Sequence, residues 1–596
     1  MTLPSAHAAA AIALTMAMFY GFAASRLKVE IISLLTISAI ALGLYSFPLA
    51  GQQPTDGLKL AFEGFGHYAL ITICALMVMG RGLVATGALE PAARTLTRVW
   101  RFNRPIGFLL TLVLAMLMSM MVNDTPVLVL LLPILVTLAS RGGMPASRTL
   151  IPVNSAVLIG GMATTIGTST NLLVVSIATD LGMRPMSVFY FTPMVAAAAV
   201  VALPFIWLVM PRLLPDNSQE AGHAPRRFHA DLRFMATSPF IGRTVADLQR
   251  RFPEHVTFLT PPDTPVTIDD RVRLLATHDT LEDVMREAKA ATAPPPLLAR
   301  LQGASRRTSE DLAVVELSIA ADSGLIGTRT ATSGIADNHD VAVIGLHHGR
   351  PDRSFSDDGD DVPMAEGDIL LVTGTLADIV RLARAESLLV LEGVKEVPRT
   401  AKAPLALAIM AGSVALASVG LMPIAITSLG GAILMFVTGC VRFDKVGRAL
   451  SAKVIVLVAA SIAVGRVILE TGAADWLSQL IASGLQDLPS GGVLAAVMIF
   501  VTVLTNFASN TTAAAVGTPI AFSLAQKLSI PVEPLVLAVL FGCNLCYATP
   551  VAYQTNMLIM SAGDYKFGDY TRTGLPLVAI MIVTLSAILV VKYRLY

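Results

Sequence analysis

The same interruption occurs twice in this chain, about 385 residues apart, each time inside an apolar run too long for one membrane helix. Residues 106–140 are largely apolar but hold Asn123-Asp124-Thr125-Pro126 in the middle. Residues 492–526 are interrupted from Thr505 to Thr512, a stretch ending in Ser509-Asn510-Thr511-Thr512. A bilayer-crossing helix needs about 20 apolar residues, so each run reads as a re-entrant hairpin that dips into the membrane and returns. The next runs, 151–179 and 534–562, are broken too, at Thr164 to Asn171 and at Ala548 to Asn556. Polar backbone breaks at membrane depth survive only inside protein or against a cavity. That restricts the chain to an all-α polytopic membrane protein built around its breaks.

Composition supports this. Hydrophobic residues make up 54% of the 596 and charged residues 14%, where a soluble chain carries about 25% charged. The charge is concentrated, with 29 of the 42 acidic and 21 of the 43 basic residues lying within 216–402. Four segments result: a first membrane repeat (1–215), two small insert domains (216–300 and 301–402), and a second membrane repeat (403–596). The net charge of +1 gives no bias toward nucleic acid, which is not expected as a partner. Cys543-x-x-Cys546 lies in a hydrophobic run and reads as two buried small residues, not a redox or metal pair. MTLPSAH has no Lys or Arg before the first apolar stretch, which reads as a retained span.

The two apolar blocks are copies. Gly80-Arg81 with Thr86-Gly87-Ala88 returns as Gly465-Arg466 with Thr471-Gly472-Ala473. Asp124-Thr125 with Pro133-Ile134 returns as Asn510-Thr511 with Pro519-Ile520, and Ala163-Thr164 with Thr170-Asn171 returns as Ala548-Thr549 with Thr555-Asn556. Basic residues in short loops set orientation. Arg94, Arg98, Arg101 and Arg104, then Arg141 and Arg148, then Arg442, Lys445, Arg448 and Lys453 all fit the cytoplasmic side. With hairpins counted as non-crossing, the insert is cytoplasmic, both termini are outside and the second copy is upside-down. Inverted repeats with broken helices in matching places are the signature of a secondary transporter with its site near the midplane.

Thr125 is placed to cap the returning half-helix, with Pro126 in its first position. The helix end then points N–H groups and its positive dipole end at the tip, where an anion can sit. The broken fifth spans free backbone carbonyls, hard ligands suited to Na⁺. Lys and Arg are absent from tips and breaks, so a co-bound cation must supply the positive charge. Asp124 is the one ionisable group at a tip, fit to ligand a cation or carry a proton. Glu470 follows Arg466 by four residues and can pair with it on one helix face. His67 receives no role. No nucleophile and base stand together, so an enzyme and a bound cofactor are not expected.

These motifs, with Gly160-Gly161-Met162-Ala163-Thr164-Thr165-Ile166-Gly167-Thr168 and Ala548-Thr549-Pro550-Val551-Ala552-Tyr553-Gln554-Thr555-Asn556, resemble the divalent anion:sodium symporter (DASS) family. That family carries Ser-Asn-Thr at each hairpin tip. Ser509-Asn510-Thr511 matches fully, whereas Asn123-Asp124-Thr125 keeps only the Thr, which leaves room for H⁺ coupling. The resemblance implies substrate contacts from Asn123, Asp124, Thr125, Ser509, Asn510, Thr511, Thr549 and Pro550. It implies Na⁺ ligands from Asn123, Asp124 and Gly167 at one site and Ser509, Asn510 and Ala548 at the other. It also implies elevator-type alternating access, a plasma or inner membrane location and a homodimer. Within the insert, Phe240-Ile241-Gly242-Arg243-Thr244 recurs as Leu325-Ile326-Gly327-Thr328, with Pro294-Pro295-Pro296 between the copies. Two small α/β units that resemble TrkA-C (RCK-C) domains fit this, implying cytoplasmic sensing of a small ligand. The acidic run 356–361 reads as a solvated loop. Expected cargo is therefore a divalent anion, sulfate or a C4-dicarboxylate or citrate-like anion, moved with Na⁺ or H⁺. The rivals are a ligand-gated ion channel and a membrane-anchored solute sensor.

Overall fold

The computed structural model describes residues 3–595 except 25–26, 89–90, 92–95, 97–98, 101–102, 141–143, 217–226, 235–237, 253–255, 269–270, 292–311, 321–322, 330–332, 348–362, 393–401, 442, 444–449 and 508. Arg94, Arg98, Arg101, Arg141, Arg442, Lys445, Arg448, the prolines 294–296 and the acidic run 356–361 lie outside the described residues.

The first block forms helices α1 (Ala6–Ala24), α2 (Val29–Ser46), α3 (Pro54–Gly66), α4 (Tyr68–Thr86), α5 (Arg104–Met121), α6 (Asp124–Ser140), α7 (Ala146–Met162), α8 (Ser169–Asp180) and α9 (Thr192–Leu213). Eight apolar helices among the described residues are long enough to cross a membrane. Their exposed faces are as apolar as their buried ones. In α2, Ile37 and Ile40 are each 3% exposed while Leu42 is 70% exposed. A helix hydrophobic all round belongs in lipid. Only one residue separates α3 from α4: His67 is extended (φ −70°, ψ 133°), and its Nδ1 accepts from the Ala69 N–H at 3.2 Å.

The insert forms β1 (Arg227–Phe234), α10 (Val245–Arg251), β2 (Val256–Phe258), β3 (Arg271–Thr277), α11 (His278–Glu287) and β4 (Ala290–Ala291). It continues with β5 (Leu312–Ile319), α12 (Ile335–His339), β6 (Ala342–His347), β7 (Ile369–Thr375), α13 (Leu376–Ala385) and β8 (Leu388–Glu392). All eight strands share one sheet, in the order β2-β3-β1-β6-β7-β5-β8, with β4 beside β1. The order within 227–291 recurs strand for strand within 312–392, all pairs being antiparallel. The two halves join where His229 on β1 pairs with Leu346 on β6. Ser238 and Ser323, 85 residues apart, make matching turns: each hydroxyl accepts from the N–H two residues on.

The second block forms α14 (Ala403–Ser418), α15 (Ile424–Val437), α16 (Ala452–Glu470), α17 (Ala473–Leu485), α18 (Ser490–Phe507), α19 (Asn510–Leu528), α20 (Val532–Asn544), α21 (Gln554–Ala562) and α22 (Phe567–Tyr593). The helices form two groups that meet where α16 packs on α19, with the Ser461 and Thr512 hydroxyls 3.2 Å apart. One holds α5, α6, α7 and α8 with α18, α19, α20 and α21. The other interlocks the blocks: α2 and α3 lie on α16, while α14 and α15 lie on α4. Small residues allow the close approach. A Cβ on Gly64 of α3 would stand 2.2 Å from the Ala459 carbonyl oxygen of α16.

Both breaks begin and end earlier than expected. α7 stops at Met162 and α8 starts at Ser169, and the second break spans 545–553, so the closing asparagines Asn171 and Asn556 both lie inside the following helix. Gly64→Ala should cost about 1–3 kcal/mol by overpacking, lowering the thermal midpoint of the detergent-solubilised protein. Gly43→Ala, facing open space, should leave the midpoint unchanged or raise it. Equal midpoints for the two variants would contradict the packing of α3 on α16.

Candidate functional site

Tip one is the joint between α5 and α6. Helix α6 begins at Asp124, so Asn123 holds the cap position, and its Oδ1 accepts weakly from the Thr125 N–H at 3.4 Å. Thr125 lies inside the first turn and Pro126 in its third position, a correction to the expectation that Thr125 caps and Pro126 leads. The Thr125 hydroxyl instead accepts from Gln554 Nε2 at the start of α21. Tip two repeats the geometry. Ser509 is the extended cap residue (φ −149°, ψ 135°) and Asn510 the first helical residue.

The two tips carry matching hydrogen bonds. Ser119 Oγ donates to Asp124 Oδ1 at 2.5 Å, and Thr505 Oγ1 donates to Asn510 Oδ1 at 2.7 Å. Asp124 is wholly buried and Asn510 is 5% exposed. So Asp124 occupies the amide's position with a carboxyl. Among the described residues no ion pair reaches it. The Tyr553 hydroxyl faces this carboxyl without closing a hydrogen bond to Oδ2. Burying a carboxylate without a positive partner is costly, so a proton or cation must accompany the charge.

Gly161 makes room for that carboxyl. A Cβ there would fall 1.9 Å from Asp124 Oδ1. The position 385 residues on is Cys546, whose thiol contacts the Asn510 side chain and also feels the Asp124 carboxyl. Cys546 lies in the second break and Gly161 in the last turn before the first, and the Cys546 thiol donates to the Asn544 carbonyl at 3.5 Å. Both Cys543 and Cys546 are free and buried.

The breaks are closed by two asparagines. Asn171 Nδ2 reaches back to the carbonyls of Gly161 (3.1 Å), Met162 (3.3 Å) and Thr164 (2.7 Å). Asn556 Nδ2 donates to those of Cys546 and Thr549, each at 2.8 Å. The expected free carbonyls are thus partly engaged. The asparagines are themselves held from the opposite block, Asn171 Oδ1 by Asn544 Nδ2 at 2.7 Å and Asn556 Oδ1 by Asn154 Nδ2 at 2.6 Å. Thr164 and Thr549 tie the breaks to the hairpins through Met120 O (2.7 Å) and Asn506 O (3.1 Å). Gly167, Ala548, Thr549 and Pro550 are all buried in the breaks. Gly167 permits the fold of its own break, since a Cβ would meet the Gly161 carbonyl oxygen at 2.3 Å.

Sequence reasoning passed over Ser119 and gave no binding role to Thr505, Gly161, Tyr553, Gln554 and Cys546, which it named only as break, motif or buried residues. Ser119 and Thr505 carried a signal, since each precedes its tip residue by five positions at the repeat spacing. Two outer expectations change. Arg466 Nη2 pairs with Glu63 Oε1 at 2.6 Å, not with Glu470, because α3 brings Glu63 alongside α16. His67, given no role, donates from Nε2 to Asp180 Oδ2 at 2.9 Å and joins α4 to α8.

The chain matches the citrate transporter family over residues 8–514 and 489–595. It is 28% identical over 581 residues to an uncharacterised transporter of Synechocystis, covering 93% of each chain. It is 24% identical over 545 residues to a putative sulfur deprivation response regulator of Chlamydomonas reinhardtii, covering 87% of this chain and 92% of that protein. Over 170 residues, 26% of this chain and 19% of the other, it is 31% identical to sodium/sulfate cotransporter 2 of the same alga. With eight helices apolar and long enough to span a bilayer, the chain is a multi-pass membrane protein and belongs to the citrate transporter family.

Proposed function

We propose that this protein is a secondary active symporter that carries a divalent oxyanion, sulfate first, between its two hairpin tips, drawn by a co-transported cation. The observation that carries the reading is the bonding of the two breaks across the blocks, Asn544 to Asn171 and Asn154 to Asn556, with Gln554 just past the second break reaching Thr125 of the first tip. Anion oxygens are received by the Thr125, Ser509 and Thr511 hydroxyls, the Asn123 and Asn510 amides and the α6 and α19 N-termini, with Thr549 and Pro550 lining the site. Na⁺ is held by Ser509, Asn510 and the Ala548 carbonyl at one end and by Asn123, Asp124 and the Gly167 carbonyl at the other. The buried carboxyl of Asp124, which forms no ion pair among the described residues, favours a proton as the alternative coupling ion at the first tip. The sulfate preference draws on the sodium/sulfate cotransporter among the relatives. A dicarboxylate or citrate-like anion presents similar oxygens to the same donors.

The two membrane blocks are read as inverted repeats. Arg466, near the end of α16, lies beside Glu63 and the start of α4, whereas Arg81, near the end of α4, reaches Ser387 of the insert. Repeat-related α4 and α16 therefore run in opposite senses. With the insert cytoplasmic and the termini outside, the body made of hairpins and broken helices slides as an elevator past the body made of α2, α3, α4, α14, α15 and α16, in a homodimer. The insert halves serve as paired TrkA-C-like sensing domains for a small cytoplasmic ligand.

Three measurements test this. Asn510→Ala and Thr511→Ala should each cut labelled-sulfate uptake into proteoliposomes by about tenfold or more, one lost site contact amounting to about 1.4 kcal/mol or above. Full uptake in both variants would remove the assignment of the second tip. Asp124→Asn should alter the Na⁺ or pH dependence of uptake, since it removes the only charge at a tip; identical profiles would remove its coupling role. Gly161→Ala should impair uptake by pushing against the Asp124 carboxyl, and Asp124→Ala in the same chain should relieve the clash, restoring the thermal midpoint though not the coupling. A midpoint unaffected by Gly161→Ala would contradict the close fit.

A further inference from the structure

The second half of the insert touches both membrane bodies. Ser387, in the left-handed region (φ 51°) just before β8, accepts a hydrogen bond from Arg81 Nη2 of α4 at 3.3 Å. Gly327 (φ 83°) sits so near α2 that a Cβ there would be 3.4 Å from the Lys28 Nζ. Both are contacts to the body that holds α2 and α4. On the other side, strand β8 lies against α6. Gly367, at the turn before β7 (φ 86°), abuts α21: a Cβ would stand 3.1 Å from Ser561 Oγ and 3.3 Å from the Met557 carbonyl oxygen. Helices α6 and α21 belong to the body with the hairpins.

The small size of these groups matters. Gly367 and Gly327 both have positive φ, which glycine adopts without strain, and at Gly367 the approach of α21 is also tight for a side chain. Behind them the half-domain has its own core, in which Val315, Leu317, Leu370 and Val372 are fully buried. A stiff unit attached to two bodies resists their relative sliding.

We propose that the second half of the insert is a latch. Docked as seen here, it ties α6 and α21 to α2 and α4 and holds the transporter in one state, and its release from one body permits the cycle. A ligand or partner that shifts the insert then sets the transport rate without touching the substrate. The inference rests on the sliding motion proposed for the two bodies.

The test uses full-length protein in proteoliposomes and three cysteine pairs, each closed by a short thiol-specific cross-linker and reopened by a reductant. R81C with S387C ties the insert to α4, G367C with S561C ties it to α21, and H67C with D180C joins the two bodies directly. Each reduced protein is its own folding control. Closing either insert pair should lower initial sulfate uptake at least tenfold, with recovery on reduction, and Arg81→Ala should raise the initial rate about twofold by weakening the dock. Full-rate uptake with either insert pair closed overturns the latch. Full-rate uptake with the H67C/D180C pair closed overturns the sliding motion itself, so the two failures are distinguishable.

Discussion

A helix that stops inside a bilayer leaves carbonyl groups with no water to satisfy them, and the rest of this structure follows from how that need is met. At the two breaks four helices stop or start in the interior, and two asparagines, Asn171 and Asn556, supply the amide donors for five of the stranded carbonyls. Each is steadied by one further asparagine from the other block, Asn171 by Asn544 and Asn556 by Asn154. An unsatisfied buried polar group costs about 1–3 kcal/mol, so the network keeps the breaks as fixed, polar bends. It also stitches the two copies together at the level of the site.

Against that symmetric frame the tips differ in charge. Ser119 with Asp124 and Thr505 with Asn510 are the same hydrogen bond made twice, once to a carboxyl and once to an amide. The neighbouring position differs in step, Gly161 beside the carboxyl and Cys546 beside the amide. A charge confined to one end gives a symmetric scaffold a polarity. On the proposed reading it makes the first tip the place where a proton or cation compensates buried charge, and the second a place where neutral donors suffice.

Much of this was legible in the sequence because the duplication displayed it twice. The apolar runs, the interrupted positions and the pairing of Asp124 with Asn510 all followed from spacing and hydropathy. The far ends of the two breaks did not, because Asn171 and Asn556 form their contacts while already helical, and periodicity does not record where a side chain reaches back. Arg466 was matched to Glu470 on its own helix, but α3 brought Glu63 closer. His67 looked idle because its partner Asp180 is 113 residues away. The two-part pattern of the insert was visible as a weak repeat, whereas its fusion into one sheet rests on the pairing of β1 with β6, which leaves no local mark.

The most direct test of the central claim is a single-particle map of the protein in lipid nanodiscs with sulfate and Na⁺. The account predicts hairpins entering from opposite leaflets, with residues 123–125 and 509–511 converging on one anion-sized density beside Cys546. Hairpins entering from the same leaflet, or tips too far apart to enclose that density, would contradict it.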